Sequence, residues 1–284
     1  MRIDIPTGRG KGRSVPLTAE RLVNMYAEAA PEKSKSPAVL HGTPGFAGFA
    51  NLDETAPIPP VIPLILTKEH PNIFVWYTMD DIDALSLVDE TDYFRNSVLA
   101  KSGGSTYPGQ VPGAIGQALE FNGSTEYVTL TWTGALGDYD SGAISFIFKA
   151  NDVNGSQALV ITQDVANAID GGIFIYLSGA SINYRVGDGV TWSGAVGGGA
   201  IAADTVYRVQ FNWSKTSQEI FIDGVSTGSS STTFGGSFLS TKASLGAVNI
   251  SGIGSPFNGF IDQFRLWKDY TLTAQDIADL NGET

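Results

Sequence analysis

The sequence predicts an all-β sandwich entered through an extended N-terminal arm and closed by a short C-terminal helix. Three observations carry this reading. The chain combines 34 glycines and only 16% charged residues with abundant Phe, Tyr and Val, a composition suited to strands joined by many turns. Its apolar residues alternate with period two, most clearly at Tyr207, Val209, Phe211 and Trp213, interleaved with Arg208, Gln210 and Asn212. Asn122-Gly123 and Asp223-Gly224 fall between such runs, where tight turns belong.

Residues 1–52 do not read as a self-contained domain. Gly8, Gly10 and Gly12 alternate with Arg9, Lys11 and Arg13, which favours extended, mobile backbone, and the spacing of a phosphate-binding loop is absent. Thr18 to Ala27 can form a short helix, but Leu22, Met25 and Tyr26 alone cannot stabilise it in isolation. The apolar stretch from Ser36 to Phe46 ends in a Pro44-Gly45 turn. Such a segment buries its apolar groups only against another body, so 1–52 reads as a docking arm. A Pro-rich connector follows over 53–71, extended and semi-rigid, its apolar end from Val61 to Leu66 placed to pack on the sandwich as a first edge segment.

The sandwich itself is expected over 72–284, beginning at Ile73-Phe74-Val75-Trp76-Tyr77. Gly116 to Val128 reads as a hairpin turning at Asn122-Gly123. Ile144, Phe146 and Phe148 alternate with Ser145, Ile147 and Lys149 as a mostly one-sided strand, and Glu219 to Gly224 enters a second hairpin. The closing strand, Gly259 to Trp267, places Asp262, Phe264 and Leu266 on one face and Ile261, Gln263, Arg265 and Trp267 on the other. Bulky apolar residues on both faces make it an inner strand. Thr273 can cap a terminal helix with Asp276 as capping-box partner, Ile277 and Leu280 form its apolar stripe, and Gly282 is placed to end it.

Two family resemblances follow from these residues. Gly259-Phe-Ile-Asp-Gln-Phe-Arg-Leu-Trp267 with Leu272-Thr-Ala-Gln-Asp-Ile277, preceded by Gly116-Gln-Ala-Leu-Glu-Phe-Asn-Gly123 and Tyr127-Val128, resembles the hallmarks of laminin-G-like (concanavalin A-like) jelly-roll domains. The resemblance implies a jelly-roll β-sandwich over about 72–284 and specifies function poorly. In the arm, Arg21…Asn24…Tyr26…Glu28 and Leu40-His-Gly-Thr-Pro-Gly45 resemble the N-terminus of the tail accessory or hub (packaged-DNA stabilisation) proteins of short-tailed phages. That match covers about the first fifth of the chain, and the remainder departs from the family's longer β-rich body. It implies a virion component, assembled in the host cytoplasm and present in multiple symmetric copies. Its partners would be the portal, adaptor, tail tube or hub, docked through Arg21, Asn24, Tyr26, Leu40, Pro44 and Phe46.

Charge and chemistry narrow the remaining classes. The net charge is −12, yet residues 1–50 hold seven Lys/Arg against four acids, so a basic arm joins a body carrying −15. The chain has no cysteine, which excludes disulfides and thiolate metal sites and fits a reducing cytosol. No apolar run approaches the roughly 18 residues of a membrane span, and no signal-peptide core is evident, so no membrane partner is expected. The paired carboxylates of a retaining glucanase are not found, and both histidines, His41 and His70, precede the sandwich, so no enzymatic activity is expected. No cofactor is expected either. The acidic cluster around Asp80, Asp81, Asp83, Asp89, Glu90 and Asp92 is the one candidate for Ca²⁺, set against the plainer reading of a solvated loop. Trp132, Tyr139 and Trp192 lie among Gly, Ser, Thr and Asp and are the candidates for stacking against a host-surface glycan, whereas Trp76, Trp213 and Trp267 read as packing residues. A displayed virion protein therefore leads, with a glycan-binding or capsid-decoration module as alternative and a carbohydrate-active enzyme a remote third.

Overall fold

The computed structural model describes residues 2–5, 13–16, 62–93, 95–102, 106–132, 140–163, 171–188, 192–233, 242–249 and 253–284. Residues 1–61 and 62–284 form separate compact units. In the first, Arg2–Ile5 and Arg13–Pro16 pair antiparallel, Ile3 opposite Val15, so this part of the arm is two paired strands rather than a single extended chain. Its β-branched residues favour that pairing. The expected helix at Thr18–Ala27 and the docking residues Arg21, Asn24, Tyr26, Leu40, Pro44 and Phe46 lie outside the described residues.

The second unit is the jelly-roll sandwich, two antiparallel sheets face to face. One sheet runs Val225–Ser230, Gln218–Ile222, Val206–Trp213, Gly142–Ala150, Asn258–Lys268, Gln117–Asn122, Gly109–Pro112, and Ile73–Tyr77 also pairs with Asn258–Lys268. The other has nine strands, in the order Val196–Ala200, Ser181–Asp188, Gly171–Ser178, Ser156–Gln163, Lys242–Leu245, Glu126–Leu130, Ser97–Lys101, Ser86–Leu87, Ile82–Asp83. Between them lies one apolar core, with Phe146 stacked against Phe211 at 5.8 Å and Tyr77 against Phe264 at 6.0 Å. The strand Gly142–Ala150 is buried on both faces, with Ser145 and Ile147 covered as well, because a second layer lies outside its sheet.

That outer layer is the C-terminal helix Ala274–Gly282. Thr273 and Asp276 form the capping box, Thr273 accepting from the Asp276 N–H and Asp276 from the Thr273 N–H at 2.8 Å. Ile277 and Leu280 pack with Ile65, Ile73, Ala143, Trp267 and Leu272. Ile65 comes from a 3₁₀ turn, Leu64–Leu66: the apolar end of the connector does pack on the sandwich, but as a turn and not as an edge strand.

The closing strand corrects the simple alternation. Ser145 stands opposite Arg265 but Ile147 opposite Asp262, so the strand carries one extra residue, a bulge with Gln263 at φ 50°. The extra residue resets the parity. Ile261, Phe264 and Leu266 face the inter-sheet core, while Asp262 joins Arg265 and Trp267 on the outer side. At the same place, pairing on one edge passes from Gln117–Asn122, opposite residues 258–261, to Ile73–Tyr77, opposite 264–267.

Asp262 fills the gap between those two partners. Fully buried, its Oδ2 accepts from the N–H groups of Ala114 (2.9 Å) and Ile115 (3.0 Å), while Oδ1 has no partner among the described residues. Asp80 clasps the same turn from the other end, accepting the Gln117 N–H at 2.7 Å, and only glycine fits at Gly116, whose φ is 63° and whose Cβ would lie 2.3 Å from Asp80 Oδ1. Burial pushes the Asp262 carboxyl up to about 6, partly opposed by the two N–H donors. Its proton is thus held more tightly folded than unfolded, so the stability it contributes is complete below about pH 4 and is lost as pH rises through about 6. Asp262→Asn keeps an acceptor for both N–H groups and removes the charge. In urea melts across this range, the variant should gain stability relative to wild type as pH rises; parallel curves would show that Asp262 does not titrate there.

Candidate functional site

The described residues form a cleft of about 350 Å³ where the two sheets meet at the Asn122 end of the sandwich. It exists because Gln117–Asn122 and Glu126–Leu130 are not a hairpin: the first lies in the eight-stranded sheet and the second in the nine-stranded one. Asn122-Gly123 does turn the chain, but as an arch between sheets. Asn122 Oδ1 accepts from the N–H groups of Ser124 and Thr125, both at 2.9 Å. Gly123 adopts φ 69°, and a Cβ there would meet that of Asn258 at 2.7 Å. Glu126 braces the arch, Oε2 accepting from Asn122 N–H at 2.9 Å and Oε1 from the Thr106 hydroxyl at 2.5 Å.

The opposite wall is an amide network. Asn258, in register with Asn122, donates through Nδ2 to Asp152 at 2.6 Å and accepts from Asn151 Nδ2 at 3.2 Å. Gln157 accepts the Asn258 N–H at 3.0 Å and itself donates to Asp152. Tyr107 supplies an aromatic ring beside these polar groups, with Lys101 Nζ 4.5 Å from its centroid, and Gly109, Glu120 and Phe121 complete the lining. Such a cleft offers rigid amide and hydroxyl groups next to an aromatic face, the arrangement that hydrogen-bonds sugar hydroxyls while covering an apolar sugar face. It is poorly arranged for hydrolysis. Of its two carboxylates, Glu126 is 5% exposed with both oxygens already engaged, which leaves Glu120 without a second reactive acid.

The residues singled out in the sequence lie elsewhere. Trp132 is 3% exposed and packs edge-on to Phe74 at 5.6 Å in the inter-sheet core, so it cannot stack on a ligand: its polar flanks mark the end of a strand, not an open surface. Tyr139 lies outside the described residues. Trp192 is half-buried on the outer face of the nine-stranded sheet, beside Arg185 and Tyr176. The acidic cluster does not converge on a point. Asp80 holds the Gln117 N–H, Asp89 accepts from Trp76, Thr91 and Arg95 N–H groups, and Asp92 pairs with Lys68 at 3.1 Å. Asp81 and Asp83 are exposed. Among the described residues no group of three or more His, Cys, Asp or Glu is arranged to hold a metal ion, so Asp80, Asp81 and Asp83 form no calcium site. The cleft residues Tyr107, Asn151 and Asn258 were not signalled by the sequence.

Fold and cleft together define a lectin-like sandwich. A model of the concanavalin A-like lectin/glucanases superfamily matches residues 122–278, more than half of the chain, and the chain belongs to that superfamily. No curated protein matches it in sequence. Among solved structures it is similar to domain 4 of AbnA, a GH43 extracellular arabinanase from Geobacillus stearothermophilus in complex with arabinotriose (20% identity, TM-score 0.58, 74% of this chain and 98% of that one). It is also similar to the binding domain of botulinum neurotoxin serotype C1 (14%, 0.57, 74% and 51%) and to a type C neurotoxin structure described as dependent on two ganglioside molecules for cell entry (14%, 0.56, 74% and 51%). The chain thus spans about half of those toxin chains, and at these identities the likeness is one of fold.

Because Trp132 is core, Trp132→Ala should lower the unfolding free energy by about 3–5 kcal/mol, read from urea melts. A melt matching wild type would mean that the ring is not packed between the sheets.

Proposed function

We propose that the sandwich is a carbohydrate-binding module, without catalysis, whose site is the cleft between the Asn122 arch and the Asn151/Asn258 wall. The observation that carries this is the cleft itself: prepositioned amide and hydroxyl groups around the Tyr107 ring, in a volume suited to one or two sugar units. Membership of a lectin/glucanase superfamily and the arabinotriose-bound neighbour support the same reading. Tyr107 covers a sugar face, Asn151 and Asn258 read hydroxyls, and Glu126 holds the arch open without entering the chemistry. Screening the full chain on a glycan array should return a binder. Tyr107→Ala and Asn151→Ala should each then weaken that binder about tenfold while the protein stays folded by circular dichroism. A folded protein with no glycan partner, or one indifferent to both changes, overturns the reading, and cleavage of the bound glycan overturns its non-catalytic part.

We also propose that residues 1–52 dock this module on a virion, among portal, adaptor, tail tube or hub proteins. The two sequence blocks around Arg21 and Leu40 support it, as does the division of 1–61 from 62–284 into separate units. On this reading the protein is a virion component displaying its sandwich toward host-surface glycan. Deleting 1–52 should leave a folded sandwich that no longer joins particles; normal incorporation of the truncated chain would sink the idea.

A further inference from the structure

A second cluster lies on the outer face of the nine-stranded sheet. Along Gly171–Ser178 and Ser181–Asp188, Ile173, Ile175, Leu177, Ile182, Tyr184 and Val186 point into the core, so Phe174, Tyr176 and Arg185 point outward. Phe174 and Tyr176 stack at 4.5 Å with their planes 18° apart. Trp192 joins them from the following segment, tied by an antiparallel bridge to Gly187 and by reciprocal bonds between Ser193 and Val186. Into this aromatic group comes Arg185, its guanidinium carbon 4.7 Å from the Trp192 ring centroid, 5.1 Å from that of Phe174 and 5.7 Å from that of Tyr176.

What sets Arg185 apart is its unused hydrogen-bonding capacity. Residues 62–284 contain four arginines. Arg265 forks onto Glu283, Arg208 donates to the Glu283 carbonyl, and Arg95 donates to the Phe74 carbonyl. Among the described residues Arg185 has neither a hydrogen bond nor an ion pair; its Nε is buried without a partner, as are those of Arg208 and Arg265, but only in Arg185 are the terminal nitrogens unpartnered as well. Buried donors are ordinarily satisfied, and an arginine's fork is shaped for the two oxygens of a carboxylate. The aromatic rings hold the guanidinium in place, so little side-chain freedom remains to be lost when an anion arrives. Residues 51–284 carry fifteen net negative charges, so a positioned cation also favours this face as the place where an acidic ligand settles.

We infer that Arg185, Tyr176 and Trp192 form a second saccharide site, selective for sugars bearing a carboxylate. The carboxylate meets the Arg185 fork, and the sugar ring lies on the half-buried Trp192 or Tyr176 face. The site is distinct from the cleft at the arch: its strands are separated from Glu126–Leu130 by Ser156–Gln163 and Lys242–Leu245 in the sheet order. The inference rests on the carbohydrate-binding reading, and its test separates the two.

Oligogalacturonate and its neutral methyl ester share one skeleton and differ in charge. In calorimetric titrations of the full chain, the acid should bind about tenfold more tightly than the ester, and added salt should weaken the acid alone. Arg185→Met, which keeps the stem packed on the rings, should abolish the preference and leave the ester unchanged. Arg185→Lys, which keeps the charge and loses the fork, should recover only part of it. Equal affinity for acid and ester in wild type, a preference surviving Arg185→Met, or no binding of the acid overturns the inference. The comparison within wild type decides even if a variant folds poorly. Neutral glycans that still bind, and are lost with Tyr107→Ala, would leave the cleft reading standing after this one had failed.

Discussion

The extra residue at Gln263 is the constraint on which the rest of the sandwich depends. A strand of eleven residues, Asn258–Lys268, must serve two partners on one edge while keeping a single apolar face toward the core. The bulge makes this possible by resetting parity midway. It also turns three polar side chains to the outside, and each is put to use. Asp262 holds the Ala114–Ile115 backbone. Gln263 Oε1 accepts from Trp76 Nε1 and Arg265 Nη2, both at 3.1 Å. Arg265 lies 4.4 Å over the Trp76 ring and forks onto Glu283, at 2.8 and 2.5 Å, beyond the end of the helix. That ion pair is almost wholly buried, so removing one partner would strand a charge in the interior, the costly case for buried pairs. Through this chain of contacts the bulge ties the 113–116 turn, the first strand of the body and the terminal helix to one strand.

The two candidate ligand surfaces follow from how the sheets are joined. Where one strand passes to the opposite sheet, as at Asn122-Gly123, the sandwich has a mouth, and backbone groups there must find side-chain partners. Asn122, Glu126 and Asn258 are those partners, and the polar cleft is the space that remains between them. Among the described residues no helix packs on the outer face of the nine-stranded sheet in the way that Ala274–Gly282 covers Trp267 and Ala143. The cover described there is a small cluster of Ala158, Ile161 and Phe174 with Tyr176, Trp192 and Val248 around it, and the Tyr176 and Trp192 rings remain partly open.

Much of the fold was legible in the sequence because period-two runs and caps are local. The alternation at 207–213, the Asp223-Gly224 turn and the Thr273/Asp276 box need only neighbouring residues to declare themselves. The errors share one physical origin, which is dependence on something distant. Asn122-Gly123 announces a reversal but not which sheet receives the next strand. A glutamine at positive φ leaves no mark in composition, so the faces of Ile261 and Asp262 were exchanged. Trp132 and Trp192 have similar flanks, and only tertiary packing buries the first and leaves the second half open. The cleft was least legible of all, since Tyr107, Asn151 and Asn258 meet only after both sheets have closed.

The handover of pairing on the closing strand also bears on the order of assembly. Ile73–Tyr77 opens the body in sequence, yet its ladder partner is the strand that nearly ends it; Trp76 and Gln263, which hydrogen-bond, are 187 residues apart. Contacts between such remote segments require the loss of most of the chain's freedom before they return any stabilisation, which slows folding. During synthesis the first strand must therefore wait for its ladder partner until Phe264 has left the ribosome.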